Sequence, residues 1–204
     1  MASPLDPAGS GVDWESRYLA DDTPWDKGRA HPALVNWLRS QPLTGRILVP
    51  GCGSGHDVRA IAAAGAREVV GLDVAPSAVR RASGFPQSGN ERYALGDFLA
   101  GGIDAEFDAL FEHTCFCAID PSRRPDYARA AERAVCHGGL FLAIFYADPD
   151  HDGGPPFGCT RDELERLFAP AFDLLEEHRA IPTFEGRENR EWLRLYRRRT
   201  HRPS

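Results

Sequence analysis

A short apolar segment that runs into closely spaced glycines constrains the fold of this chain more than any other feature. The segment RILVP (46–50) is followed by Gly51, Gly53 and Gly55 within the stretch ILVPGCGSGHD (47–57). An apolar run that ends at glycines predicts a buried strand. Glycine also lets the backbone turn sharply and approach a ligand closely. The pattern therefore predicts a strand, a ligand-binding loop and a following helix.

The rest of the chain alternates between strand and helix patterns. Its 204 residues, 42% hydrophobic and 26% charged, suit one globular domain. Strands that alternate with helices predict a mostly parallel sheet with helices on both faces, and the last two strands are predicted to form an antiparallel pair. The predicted strands are 46–50, 68–74, 91–98, 107–113, 140–147, 172–180 and 190–198, and the predicted helices are 31–40, 56–65, 75–82, 123–139 and 161–169.

The sequence predicts a single domain over residues 13–198, because it shows neither an internal repeat nor a linker. Residues 1–12 are rich in Pro, Gly, Ser and Ala and are predicted to be a mobile N-terminal segment. Residues 13–40 are predicted to form a helical lid region on the domain. Residues 199–204 are predicted to be a C-terminal tail.

Composition narrows the expected partners. A net charge of −6 with no long block of one sign disfavours nucleic acid. No apolar run approaches the roughly 18–20 residues of a membrane span, and the N-terminus lacks the pattern of a signal peptide. Five cysteines without metal-ligand spacing predict reduced thiols and no metal site. We therefore expect a cytoplasmic monomer that acts on a small molecule or anion, without nucleic-acid or membrane partners.

Acidic residues follow the next two predicted strands, where ligands bind in open α/β sheets. Asp73 lies 22 residues after Gly51, a spacing that suits hydrogen bonds to both hydroxyls of an adenosine ribose. Asp97 can accept a hydrogen bond from an adenine amine, with Phe98 beside the ring. Because His56 replaces the third close-packing glycine and no phosphate-binding lysine follows, S-adenosylmethionine fits better than a dinucleotide. The alternative is that both aspartates are solvated strand-end residues.

Several longer segments carry a family resemblance. They are VPGCGSGHDV, VVGLDVAPSAV, ALGDF, FEHTCFCAIDPSRRPDYA, GGPPF and, after WESRY (14–18), TPWDKGRAHPAL (23–34). Together they resemble the thiopurine S-methyltransferase family, in its branch of thiol and halide methyltransferases, from about residue 13 to 198. The resemblance implies a Rossmann-like class I methyltransferase fold, with a mostly parallel seven-stranded sheet and an antiparallel C-terminal strand. It also implies S-adenosylmethionine as methyl donor and S-adenosylhomocysteine as product.

The resemblance also implies where the ligands lie, with a halide, thiocyanate, hydrosulfide or thiol as the methyl acceptor. The implied cofactor-binding residues are Trp14, Tyr18, Trp25, Gly51, Cys52, Gly53, Asp73, Val74, Asp97, Phe98, Glu112 and His113. The candidates for the acceptor pocket are Arg124, Tyr146, Phe157, Arg187 and Arg190. Cys52 is expected to be a small residue that packs in the turn and not a nucleophile.

A soft nucleophile makes few chemical demands on the protein. A thiol is partly ionised near neutral pH and a halide always is, so displacement needs alignment and a dry site more than a strong base. No general-base constellation is apparent in the sequence, and no catalytic residue is assigned. Trp14, Tyr18 and Trp25 are predicted to close over the cofactor as a lid. The alternative is that they are core aromatics that anchor an N-terminal helix.

Other functions stay open at this point. The acceptor can instead be an aromatic thiol of the thiopurine type, or a sulfur, nitrogen or oxygen atom of another small molecule. An NAD-dependent oxidoreductase and a non-catalytic S-adenosylmethionine-binding protein are the alternatives from other classes. The glycine spacing argues against the first of these, and the acceptor-side motifs argue against the second.

Overall fold

The computed structural model describes residues 10–101, 107–148 and 153–200. Within these residues seven strands form one sheet in the order β3-β2-β1-β4-β5-β7-β6. The strands are β1 (Arg46–Pro50), β2 (Glu68–Asp73), β3 (Glu91–Leu95), β4 (Phe107–His113), β5 (Val135–Tyr146), β6 (Phe172–Arg179) and β7 (Glu191–Arg198). Residues 1–9 and 201–204 of the predicted terminal segments lie outside the described residues.

The pairing of the strands confirms the predicted fold class. Strands β1 to β5 pair in parallel, and β7 runs antiparallel to both of its neighbours, β5 and β6. The order reverses at β1, so β1 and β4 flank the point where an open α/β sheet binds ligands. The glycine loop that follows β1 therefore lies at the expected place.

Six α-helices surround the sheet in the described part of the chain, and they are 6 to 11 residues long. None of the helices in that part is long and apolar enough to cross a membrane. The helices are α1 (Trp14–Leu19), α2 (Pro32–Ser40), α3 (His56–Ala63), α4 (Pro76–Ser83), α5 (Arg124–Ala134) and α6 (Arg161–Phe168).

Most boundaries lie within two residues of the prediction, and the larger differences occur around the start of β5 and at the end of β3. The helix predicted over 123–139 ends at Ala134, because Val135 is fully buried and pairs with Phe107 in the sheet. Gly138, at a φ of +78°, belongs to an irregularity within β5 and does not end a helix. The strand predicted over 91–98 ends at Leu95, and the following residues leave the sheet.

Two apolar clusters, one on each face of the sheet, hold the helices in place. On one face α5 and α6 bury Tyr127 and Phe168 against the aromatic side chains of β5. On the other face α2 and α3 bury Leu34 and Ile61. Each large apolar side chain that is fully buried contributes about 1.5–3 kcal/mol to folding. The predicted placement of helices on both faces is therefore confirmed.

Candidate active site

A cavity with a volume of about 330 Å³ opens where the parallel strands end. It is lined by the loops that follow β1 to β5, by the N-terminal segment and by the loop between β6 and β7. Most of the residues that the sequence predicted for the site meet here. The predicted residues that line the cavity are Trp14, Tyr18, Trp25, Gly51, Cys52, Gly53, Asp73, Val74, Asp97, Phe98, His113, Tyr146 and Arg187.

Asp73 ends β2 and is a buried carboxylate at one end of the cavity, which we call the cofactor end. Its Oδ2 accepts a hydrogen bond from the Gly53 amide and its Oδ1 accepts one from the Ala75 amide, both at 2.9 Å. Burial raises the pKa of Asp73, although backbone N–H groups oppose the shift. A carboxylate offers about four lone-pair sites, so each oxygen can still accept from a ligand hydroxyl.

The glycine loop turns in the left-handed region of backbone conformation. Gly51 has a φ of +56° and Gly53 a φ of +53°, where residues with a side chain are strained. A Cβ at Gly51 would lie 2.8 Å from the Cβ of Cys115, and one at Gly53 would lie 2.9 Å from the Tyr18 hydroxyl. These glycines are therefore required by contacts within the protein as well as by the turn.

The cysteines around the cavity are packed as neutral thiols. Burial raises the pKa of Cys52 and Cys115 well above the ordinary value, and it raises the pKa of Cys117 to about 12. A thiolate, and not a thiol, is the effective nucleophile. This environment agrees with the expectation that Cys52 packs in the turn.

Three aromatic side chains cover the cofactor end. Trp25 meets Trp14 edge-on at 5.3 Å and Tyr18 at 5.8 Å between ring centroids, and its Nε1 donates a hydrogen bond of 3.2 Å to the Tyr18 hydroxyl. The same rings pack against Ala75 and Ala78, at the start of α4. These three rings therefore line the cavity and also anchor helix α1 to the domain. Their movement as a lid stays a prediction.

Asp26, in the TPWD segment, ties this aromatic cover to the glycine loop. Its Oδ2 accepts a hydrogen bond of 2.5 Å from the Ser54 hydroxyl, and its Oδ1 accepts one of 3.1 Å from His56 Nε2. The bond from His56, with that from Ser54, holds the pKa of Asp26 far below its usual range. Arg59 donates to Nδ1 of His56, which leaves the proton on Nε2. Asp26 was not among the predicted site residues.

Asp97 and Phe98 follow β3 and form the side wall of the cofactor end. The half-buried Asp97 accepts a hydrogen bond of 2.8 Å from the Leu99 amide, which bends the chain away from the sheet. Phe98 is buried and packs edge-on against Tyr127 at 5.1 Å. One residue thus offers a carboxylate to the cavity, and the other joins its wall to the core.

The opposite end of the cavity, which we call the acceptor end, contains a carboxylate–imidazole pair. His113 ends β4, and its Nδ1 lies 2.8 Å from Oδ2 of the buried Asp57. Oδ1 of Asp57 accepts a hydrogen bond of 2.8 Å from the His31 amide. The sequence analysis missed this pair. Asp57 stands within the glycine-loop stretch itself, but its partner is 56 residues away.

Glu191, the first residue of β7, holds the Arg187 guanidinium beside the Asp57–His113 pair. It lies 2.9 Å from His31 Nε2, and it accepts a hydrogen bond of 2.9 Å from Arg187 Nη1. Although burial acts to raise it, the hydrogen bond from His31 holds the pKa of Glu191 at about 2. The Arg187 guanidinium lies 5.2 Å from the Tyr146 ring centroid and 5.7 Å from that of Phe184. The acceptor end therefore has a fixed cation against aromatic walls.

His31, His113 and Glu191 bring possible metal-ligand atoms within 4.8 Å of one another. Nδ1 of His31 already accepts a hydrogen bond of 3.1 Å from the Ala33 amide, so Nε2 carries the proton of the neutral ring. That proton is donated to Glu191. A metal ion at Nε2 would have to displace this single N–H proton, and the ring would then be an imidazolate anion. The hydrogen bonds thus favour a charged network over a metal site.

Arg124 does not reach the cavity, which corrects its prediction as an acceptor residue. Only 1% of its side chain is exposed, and Nη1 lies 2.8 Å from both carboxylate oxygens of Glu163. Nη2 donates hydrogen bonds of 3.0 Å to the carbonyl oxygens of Phe157 and Gly158. Arg124 therefore clamps the GGPPF turn from outside the cavity.

Phe157 and Arg190 do not line the cavity either, which corrects two further predictions. The amide of Phe157 donates a hydrogen bond of 2.7 Å to the Cys117 carbonyl, and this contact holds Pro155 and Pro156 in the cavity wall. Arg190 lies in the turn before β7, and its amide bonds back within that turn. The prolines are the lining residues that the GGPPF motif supplies.

Glu112, predicted as a cofactor contact, is buried beneath the cavity. One oxygen accepts from the Phe116 amide at 2.7 Å and the other from the Tyr127 hydroxyl at 2.5 Å. Burial raises the pKa of Glu112 to about 7. Its role in the structure is to hold the turn after β4, and the neighbouring His113 lines the cavity instead.

The sequence of this chain is similar to those of known methyltransferases. The family model of thiopurine S-methyltransferase (TPMT) matches residues 10–193. The chain belongs to this family. It is 36% identical over 184 residues to thiocyanate methyltransferase 1 of Brassica oleracea, a match that covers 86% of this chain and 81% of that protein. It is 33% identical over 184 residues, with the same coverage, to a probable thiol methyltransferase 2 of Arabidopsis thaliana.

Solved structures of other proteins share the fold of this chain. The DhpI–SAM–HEP complex superposes with a TM-score of 0.72 at 19% identity and covers 97% of this chain and 99% of that chain. The predicted family is thus confirmed, and with it a methyltransferase that uses S-adenosylmethionine. Which residues of this chain contact the cofactor stays a prediction.

Proposed function

We propose that this member of the thiopurine S-methyltransferase family methylates a small, soft nucleophile: thiocyanate, a halide, hydrosulfide or a small thiol. One observation carries the proposal. The cavity has two ends of different chemistry, with a ribose-type carboxylate and aromatic rings at one end and a fixed guanidinium between aromatic and proline walls at the other. The names of the plant relatives support the same class of acceptor.

The residues at the cofactor end fit S-adenosylmethionine. Asp73 keeps acceptor capacity for two ribose hydroxyls, and Asp97 can accept from an adenine amine. Trp14 and Trp25 present aromatic rings, which attract a cation by roughly 0.5–2 kcal/mol. When bound, the cofactor supplies a methyl group on a positively charged sulfur. The protein residues hold that group in place and exclude water from it.

The acceptor end suits an anion of low hydration. Arg187 is held by Glu191, so its guanidinium stays in place without a substrate. Tyr146, Phe184 and the two prolines surround it with apolar surface. Displacement between an anion and a cation is slowed by water, which solvates the separated charges better than the transition state. Arg29 also lines the cavity, with its guanidinium 5.7 Å from the Phe184 ring centroid. An apolar wall with fixed cations therefore favours attack by a soft anion.

Headspace gas analysis tests this proposal. The protein is incubated with S-adenosylmethionine and, separately, with iodide, bromide, thiocyanate, hydrosulfide or an aromatic thiol, and excess S-adenosylhomocysteine serves as the inhibited control. We expect volatile methyl products from the small nucleophiles. Methylation of the aromatic thiol alone would instead establish a thiopurine-type acceptor. Absence of heat on titration with S-adenosylhomocysteine would contradict the cofactor end as described.

A further inference from the structure

His113 is a nearly buried imidazole in the cavity wall, with one ring nitrogen free. Its side chain is 10% exposed, and its ring lies 4.8 Å from that of His31 and 6.3 Å from that of Phe184. Nδ1 is bonded to Asp57, whereas Nε2 is closed to solvent and has no hydrogen-bond partner among the described residues. A buried nitrogen without a partner costs about 1–3 kcal/mol, so its retention calls for a functional explanation.

Asp57 fixes the state of this ring. A carboxylate can only accept, so the neutral imidazole places its proton on Nδ1 and its lone pair on Nε2. Asp57 is itself held by the His31 amide, and only 16% of its side chain is exposed, so both of its oxygens are fixed in place. Interaction with His113 lowers the pKa of Asp57 even though burial acts to raise it. The ring therefore places an unprotonated nitrogen in the wall of the cavity.

Several charged groups surround His113. The titratable and charged groups around it are Asp57 on α3, His31 at the start of α2, Glu112 on β4, Glu191 on β7 and Arg187 before β7. Arg187 neutralises Glu191, and burial lowers the pKa of His31, which favours its neutral ring. Burial raises the pKa of Glu112 to about 7, so Asp57 is the carboxylate in direct contact with the ring that can balance an imidazolium at His113.

We propose that His113 is the base that takes the proton of a neutral thiol acceptor, and that Asp57 positions it. The inference rests on the proposed function and extends its acceptors from anions to protonated sulfur compounds, including hydrogen sulfide and alkyl thiols. The thiol sulfur bonds to the methyl carbon while the carbon–sulfonium bond breaks, and that electron pair stays on the departing thioether. The thiol proton passes to Nε2 and then to water.

Iodide provides the internal control for this base, because it carries no proton. In His113→Gln, we expect kcat/KM for an alkyl thiol to fall by about 100-fold at pH about 6.5, well below the ordinary thiol pKa of about 8.5. The loss for iodide should be at least about tenfold smaller. His178 is an exposed histidine on β6, and His178→Gln should leave both rates unchanged. Equal losses for thiol and iodide would overturn the proposal.

The pH profile and the tautomer give two further readouts. The deficit of His113→Gln with the thiol should shrink as the pH rises and thiolate forms in solution, and a constant deficit would contradict a base. Nitrogen-15 NMR of unmodified, labelled protein, at a pH well above the ordinary histidine pKa of about 6.5, should show Nδ1 of His113 protonated and Nε2 unprotonated. Asp57→Asn should shift the proton towards Nε2 and slow the thiol more than iodide. A ring protonated on Nε2 in the unmodified protein would overturn the assignment.

Failure of the proposed function would look different. If the unmodified protein binds S-adenosylhomocysteine but methylates neither iodide nor any thiol, the proposed acceptor class is wrong before any variant is made. If it methylates both and His113→Gln loses both equally, the acceptor class stands and the base is wrong.

Discussion

The two ends of the cavity are built in different ways. The glycine loop and the carboxylates of the cofactor end lie at or just after the ends of adjacent parallel strands, with Asp73 held by two backbone amides. The acceptor end uses charged side chains from α2, α3, β4 and β7, and the His31–Glu191 contact joins residues 160 positions apart. The order of the parallel strands alone brings the strand-end residues of the cofactor end together. The charged residues of the acceptor end meet only after the helices and the C-terminal strands have packed.

This difference shows that a common fold can fix the binding site of the cofactor and leave the binding site of the acceptor free to vary. Any sheet of this order brings the ends of β1 and β2 together, so a glycine loop and an aspartate suffice for a nucleoside. The acceptor end has no such fixed frame. Its residues are held by one another, and each one that is removed leaves a buried partner with an unmet charge or hydrogen bond.

The largest expected effect tests whether the acceptor end depends on residues outside the cavity. Arg124→Met keeps the length of the side chain but leaves Glu163 and two carbonyl groups without their donor. We expect the free energy of unfolding to fall by about 4 kcal/mol, measured by denaturant titration. Arg39→Met on the exposed face of α2 is the matched control. A loss below about 1 kcal/mol would mean that this clamp is not needed.

The next effect isolates the cofactor end. Asp73→Asn replaces one accepting oxygen by a donor, and we expect the Kd for S-adenosylhomocysteine to rise about 100-fold, or about 2.7 kcal/mol, in calorimetric titrations. Asp148→Asn, at an exposed position after β5, is the control. A change of less than about threefold with an unaltered melting temperature would show that the ribose contact lies elsewhere.

The smallest effect isolates the acceptor end. Arg187→Gln removes the fixed cation, and we expect the KM for iodide and thiocyanate to rise about tenfold while the Kd for S-adenosylhomocysteine stays the same. Arg190→Gln is the matched control, because this neighbouring arginine does not line the cavity. If Arg187→Gln also raises the Kd for S-adenosylhomocysteine, the two ends are not separable. If Arg190→Gln raises KM as much as Arg187→Gln does, the acceptor contact is not specific to Arg187.

Most of the fold could be predicted because alternating strand and helix patterns are local. The strand–glycine–helix unit at Arg46–Pro50 and the acidic residue after β2 identified the cofactor end for the same reason. The helix end at Ala134 was missed because the pull of Val135 into the sheet is a tertiary contact, and the Gly-Gly pair that follows imitates a helix stop.

The acceptor end was predictable only in part. An arginine near the end of the chain was expected, but the sequence could not separate Arg187 from Arg190, which are three residues apart on one turn. The family resemblance placed Arg124 and Glu112 at the ligands, but both side chains are buried against other parts of the protein. The pairing of Asp57 with His113 depends on the start of α3 meeting the end of β4, 56 residues further along the chain, and no local pattern predicts it.

The C-terminal hairpin has a consequence for how such a protein can change its chemistry. The loop between β6 and β7 carries Phe184 and Arg187 into the cavity, and β7 begins with Glu191. None of these residues touches the glycine loop or Asp73 in the described contacts. Changes in the loop between β6 and β7 can therefore alter which acceptor is methylated, while the methyl donor and the parallel strands that hold it stay as they are.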